Sequence, residues 1–224
     1  MIDDKDETPL AELLRKYAEK NAESHKWSFW SLKLLRHILS RERILAELKT
    51  HDGLNNPETL LNYILPAESR HSGSIPQTYL KTFTLLILFE RVDEIGNFIE
   101  EGVSDQSLPV QRHQEASPGK VNLCHKDRPN QPLTCFCKWK THEKEDFLKT
   151  HQWRVLVPYF DLDDGNRAGE YLLDDQTILP WCKRTDRSHS SSQPSGWSGG
   201  YAFVSRVKID PHSHGFHDVL QTVS

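Results

Sequence analysis

The chain is poor in almost everything that would place it outside the cell or in a bilayer. It has one methionine and four unevenly spaced cysteines in 224 residues, which argues against a disulfide framework. No Asn-x-Ser/Thr acceptor occurs. The N-terminus, Met1-Ile2-Asp3-Asp4-Lys5-Asp6-Glu7, is acidic and lacks the apolar run of a secretory leader. The longest apolar stretch, Phe83-Thr84-Leu85-Leu86-Ile87-Leu88-Phe89, is about a third of the ~20 residues that a membrane helix needs. Basic excess is missing as well. With 28 Lys and Arg against 32 Asp and Glu the net charge is −4, so nothing is in surplus to neutralise a nucleic-acid backbone. The expectation is a soluble protein of the cytoplasm or nucleus, with protein partners rather than nucleic acid or membrane.

What is present is mostly helical period. A hydrophobic fraction of 36% against 27% charged residues predicts a modest core with solvated linkers. Leu10, Leu13, Leu14, Tyr17 and Ala18 form one apolar stripe, and Thr8-Pro9 supplies the start of that helix. A second helix is expected from about Ser28 to Leu48, carrying Leu32, Leu35, Ile38, Leu39, Leu45 and Leu48. Asn56-Pro57 opens a third, with Leu60, Leu61, Ile64 and Leu65, and Pro66 closes it. The richest core segment follows Pro76 and runs through Tyr79, Leu80, Phe83, Leu86, Ile87, Ile95, Phe98 and Ile99 to Gly102, with Gly96 a point where it can divide. Residues 1–105 are therefore expected to be a small helical bundle that folds by itself.

Beyond it the period is lost. Residues 106–135, dominated by Gln, His, Asn, Pro and Ser, are expected to be a linker. Residues 136–183 form a second unit, with a helix from about His142 to Leu156 and extended chain around Leu172, Ile178 and Leu179. Residues 184–198 are a Ser-rich linker. From Gly199 to Ile209 apolar residues alternate, with Tyr201, Phe203, Val207 and Ile209 on one side, which predicts a strand or a hairpin. The fold class is mainly α, ending in a short C-terminal β-hairpin.

The segment Gly199-Gly200-Tyr201-Ala202-Phe203-Val204-Ser205-Arg206-Val207-Lys208-Ile209 carries the chemistry worth weighing. A kinase glycine-rich loop needs a tight strand-turn-strand, an aromatic at its tip and a valine against the adenine. Gly199 and Gly200 fit the turn, Tyr201 the tip and Val204 the valine, but Trp197 stands at the first glycine position and Ala202 at the third. On residue count alone a plain hairpin accounts for it. The longer run from Gly199 to His214, with Trp153-Arg154-Val155-Leu156-Val157-Pro158-Tyr159-Phe160 and Thr177-Ile178-Leu179-Pro180-Trp181 before it, resembles the N-terminal region of fungal serine/threonine protein-kinase-like proteins. Leu85 to Pro109 is similar to that group as well.

The resemblance implies that residues 199–224 are the truncated start of a kinase-like N-lobe, and that Gly199, Gly200, Tyr201 and Val204 are a vestigial cofactor loop. It also implies what is missing. Lys208 is the last lysine and sits on the second strand, and no His-Arg-Asp or Asp-Phe-Gly occurs. No catalytic residue is assigned and no cofactor is expected in this chain; ATP and Mg would matter only if a complete kinase domain follows. The expected function is a non-catalytic regulatory or partner-binding region.

Two rivals remain, a stand-alone helical interaction module and a zinc-binding adaptor. Cys124, His125, Cys135, Cys137 and His142 fall within nineteen positions and are all zinc-ligand types, although their spacing is not a knuckle's and free structural cysteines explain them. Asp161 to Asn166 is similar in spelling to a calcium loop, but glycine falls fifth and Leu172 twelfth, which leaves an acidic turn. His212, His214 and His217 are expected to be solvated, in a loose tail. No metal site is assigned.

Overall fold

The computed structural model describes residues 8–22, 27–67, 77–114, 120–161, 170–184, 198–199, 202–203 and 207–216. The chain is mainly α. Its helical part begins with α1 (Leu10–Lys16), α2 (Leu32–Ile38), α3 (Arg41–Lys49), α4 (Pro57–Ile64), α5 (Leu80–Leu88) and α6 (Ile95–Glu100). Between α1 and α2 the strands β1 (Glu19–Lys20) and β2 (Ser28–Phe29) pair antiparallel. No helix among the described residues is long and apolar enough to cross a membrane.

Local chemistry sets the boundaries. The single helix expected from 28 to 48 is two helices, because Ser31 and Ser40 are both extended and both cap. The Ser31 hydroxyl accepts from the Leu34 N–H at 3.3 Å and the Ser40 hydroxyl from the Arg43 N–H at 3.4 Å. The long apolar segment after Pro76 also divides, but at Glu90 rather than Gly96. Glu90 takes a left-handed φ of 57°, and the Arg91 N–H reaches back to the Leu86 carbonyl at 2.9 Å. Gly102 repeats that ending after α6, with φ 72° and the Val103 N–H on the Phe98 carbonyl, and here the glycine removes the steric penalty.

The stretch from 106 to 135 is not a linker over its described residues. Leu108, Val110, Val121, Leu123, Leu133 and Cys135 are all buried in the same core as Leu10, Phe83 and Phe98. Strand β3 (Gln111–Arg112) pairs antiparallel with β4 (Leu123–Cys124), and the Leu133 N–H bonds the Leu123 carbonyl at 2.8 Å. The physical device that secures this polar stretch is one buried side chain. The Gln152 amide accepts from the Val110 N–H at 3.0 Å and donates to the Val110 carbonyl at 3.1 Å, as a strand neighbour would.

Gln152 stands in the helix that follows, α7 (Thr141–Asp146) continuing through a π turn (Phe147–His151) into α8 (Gln152–Val155), close to the helix expected from 142 to 156. In the π turn the Leu148 carbonyl accepts side-chain donors, Gln152 Nε2 at 2.8 Å and Trp153 Nε1 at 3.0 Å. One face of this helix closes the aromatic centre of the molecule, where Phe98, Phe136, Trp139 and Phe147 meet edge to face or tilted. The Trp139 indole donates to buried Glu94 at 2.6 Å, and Arg91 joins Glu94 to Glu143 at 3.3 and 3.0 Å. The core is therefore continuous from Leu10 to Val155, and residues 1–105 are not a separate body.

Candidate functional site

The segment from Trp181 to Ile209 contains two strand pairs. β6 (Ser198–Gly199) pairs antiparallel with β7 (Ala202–Phe203), Ser198 opposite Phe203 and Gly199 opposite Ala202. Of the expected loop residues Gly199 lies in β6, while Gly200, Tyr201 and Val204 lie outside the described residues. β8 (Val207–Ile209) does not simply continue that hairpin. It pairs with β5 (Trp181–Arg184), Trp181 opposite Ile209 and Arg184 opposite Val207, with a bulge between Trp181 and Lys183. The expectation of strand from Gly199 to Ile209 is met in part, but the partner of its last piece comes from the far side of the Ser-rich stretch.

This strand pair is bonded to the helical body. The Ala22 N–H donates to the Trp181 carbonyl at 2.6 Å and the Asn21 amide to the Leu179 carbonyl at 2.7 Å. The Asp210 N–H donates to the Pro180 carbonyl at 2.7 Å. Below them Phe29, Trp153 and Ile178 form a second small core, with Cys182 against it. Arg154 ties the same region to the bundle. Its guanidinium lies 4.4 Å over the Trp30 ring and donates to the Ser28 carbonyl at 2.7 Å, with burial holding its pKa below the usual arginine value. The described tail is not loose: Ser213 and His214 are buried, and Phe160 exchanges backbone bonds of 2.9 Å with Ser213 and Gly215. At Gly215 any side chain would run into the Asp161 carboxylate.

Two carboxylates, Asp210 and Glu19, act on this neighbourhood. Asp210 is buried, with Oδ2 accepting from the Ser213 hydroxyl at 2.7 Å and Oδ1 without a partner among the described residues. Burial first, and then the Asp210 charge, push the Glu19 carboxyl above its ordinary value, with His212 opposing. Burial, Asp210 and Glu19 raise the Cys182 thiol to about 11, against an opposing Lys208.

The remaining candidates are dispersed. The Cys124 thiol donates to the Gln111 carbonyl at 3.6 Å, and His125 Nε2 lies 3.0 Å from the Glu101 carbonyl. The Glu101 carboxylate accepts from the Cys135 N–H at 3.0 Å and the Thr134 N–H at 2.9 Å. Cys137 and His142 are exposed. Among the described residues no group of three or more His, Cys, Asp and Glu is arranged to hold a metal. His212 is exposed, His214 is buried and stacked on Phe216 at 5.0 Å, and His217 lies outside the described residues, as does most of the acidic turn after Asp161. A sequence reading could also have weighed Gly196-Trp197-Ser198-Gly199-Gly200, which has the spelling of a nucleophile elbow. An elbow needs a strand-to-helix turn, and Ser198–Gly199 instead pairs within a hairpin.

No model of a known protein family matches the chain, and neither a curated protein nor a solved structure matches it significantly.

Proposed function

We propose that this chain is a non-catalytic regulatory or partner-binding region of a serine/threonine protein-kinase-like protein, a helical body that holds the first two strands of the kinase-like lobe. The observation that supports this reading is the antiparallel pairing of Trp181–Arg184 with Val207–Ile209, with the glycine-containing hairpin between them. A kinase lobe opens in that way, strand, glycine-rich loop, strand. Bonds from Asn21 and Ala22 to Leu179 and Trp181 give the body a direct hold on that opening. The chain itself transfers no phosphate, because phosphoryl transfer depends on positioned charge that these residues do not supply.

Two measurements test the two halves of this reading. Incubation of the purified chain with radiolabelled MgATP and a generic protein substrate is expected to give no incorporation. Metal-dependent labelling abolished by Gly199→Asp would overturn the non-catalytic half. Mapping the transcript beyond the codon for Ser224 tests the other half. A continuing frame with a lysine-bearing third strand, a catalytic loop and a metal-binding aspartate is the expected result, and a stop in every transcript would overturn the kinase assignment.

A further inference from the structure

Leu172 is the most exposed large apolar side chain among the described residues, at 98%, and its neighbours Leu173 and Tyr171 are 45% and 38% exposed. The segment is nonetheless held at both ends. Tyr171 stands edge-on to Phe160 at 5.1 Å, and its hydroxyl accepts the Asp161 N–H at 2.8 Å. On the other side Asp174 forms a turn, its carboxylate accepting the Gln176 N–H at 3.1 Å and its carbonyl the Thr177 N–H at 2.9 Å, before Ile178 enters the small core. The result is a fixed tongue that presents uncovered leucine. Its charge is of one sign: Glu170, Asp174 and Asp175 flank the leucines, and no lysine or arginine occurs between Arg167 and Lys183.

The same molecule carries a pocket of the opposite character. It encloses about 220 Å³ between α2 and the chain at Val157–Tyr159. Leu32, Pro158 and Tyr159 give it apolar walls, and Lys33, Arg36 and His212 stand around them; no acidic residue lines it among the described residues. Leu32 and Tyr159 are themselves exposed, at 39% and 40%. Lys33 is held at the mouth, its ammonium 5.0 Å over the Tyr159 ring and 3.3 Å from the Tyr159 hydroxyl. The volume is below the range of a small-molecule cleft and suits a side chain.

We propose that the tongue Glu170–Asp175 of one copy docks in the Leu32–Tyr159 pocket of a second copy, leucine against the apolar walls and carboxylates against Lys33 and Arg36. The tongue leaves its own chain's pocket unfilled, since Leu172 is almost wholly solvated there. In each copy Tyr171 of the tongue packs on Phe160, next to Tyr159 of the pocket, and this closeness of the two halves suits a two-fold exchange with two tongues and two pockets. The leucines supply the adhesion and the exposed charges supply orientation, so the association is weak and strengthens as salt is removed. The inference goes beyond the regulatory reading and does not depend on it.

Sedimentation equilibrium of the full chain at up to about 1 mM is the test. A monomer–dimer equilibrium is expected, weakened about tenfold or more by Leu172→Asp, a substitution at a site too exposed to affect folding. Lys33→Glu with Arg36→Glu makes one monomeric variant, and Glu170→Lys with Asp175→Lys makes another. Mixed, these two are expected to form a heterodimer, because each tongue then meets a pocket of opposite charge. A wild-type chain that stays monomeric throughout, a dimer indifferent to Leu172→Asp, or variants that remain apart on mixing would each overturn the proposal.

Discussion

Asp105 acts on α5 from the far side of α6, where a capping residue would ordinarily be adjacent in sequence. Its carboxylate accepts from the Lys81 and Thr82 N–H groups at 2.9 and 3.2 Å and from the Thr78 hydroxyl at 2.8 Å, and its own N–H donates to the Thr78 carbonyl. Burial raises its pKa above the ordinary aspartate value of 3.8, and these bonds, with nearby Lys81, oppose the rise without cancelling it. Glu101 shows the opposite balance: burial pushes its carboxyl up, but the Cys135 and Thr134 donors hold it below the usual value. For Asp105 a raised folded-state pKa means that folding favours the protonated form, so its contribution is complete below about pH 3.8 and is lost as pH rises through the folded pKa. Asp105→Asn keeps an acceptor for the helix N–H groups without the charge. In urea titrations, that variant is expected to gain on the wild type as pH rises from about 4 to 7. Asp105→Ala should cost about 1–2 kcal/mol at pH 7. A gap between the Asn variant and the wild type that moves the other way with pH would show that the charged cap, not burial, dominates.

At the scale of elements, the hold of the β1–β2 hairpin's neighbours on β5 carries the next expectation. Ala22→Pro removes the N–H that bonds Trp181, and Asn21→Ala removes the amide that bonds Leu179. Each bond is worth about 0.5–1.5 kcal/mol, so amides of 181–184 and 207–209 should exchange about two- to tenfold faster in either variant. Those of α5 should not change, and equal acceleration in α5 would mean that the strands and the helical body open together. Sequence pattern disclosed the helices, because Leu13, Phe83 and Phe98 lie on stripes that repeat at helical spacing. It disclosed α3 less well, since the Ser40 cap sits inside an otherwise unbroken pattern. The stretch around Val110 was illegible for a physical reason: isolated apolar residues in polar sequence are fixed by backbone bonds to Gln152, 42 positions away. In the candidate site the glycine hairpin was legible in the alternation from Gly199, whereas the partner of β8 was hidden by the intervening Ser-rich segment. The coupling of Asp210 to Glu19 was not legible either, because only the fold brings groups so far apart in sequence within reach of each other.

For the whole molecule the question is where it can be cut. The change of composition after residue 105 suggests a boundary, but the contacts cross it at every level. Trp139 and Phe136 fill the space beside Phe98, and Glu94, buried, has its partner Trp139 on the far side of the supposed linker. Glu101 caps the turn at Thr134–Phe136, and Arg91 reaches Glu143. A fragment ending at 105 would leave Phe89 and Phe98 without their aromatic neighbours Phe136, Trp139 and Phe147, and Glu94 without its indole. Losing the cover of several large side chains costs about 1.5–3 kcal/mol for each, which exceeds the 5–15 kcal/mol that a domain has in hand once a handful are exposed. Residues 1–105 alone are therefore expected to lack near-ultraviolet circular dichroism and to be cut by protease throughout. Residues 1–161, which keep the core from Leu10 to Val155, should unfold in a single cooperative transition. A sharp transition in the shorter fragment, with protease resistance across Leu80–Phe98, would show that the first hundred residues are a bundle in their own right and that the later aromatic cluster is an accessory to it.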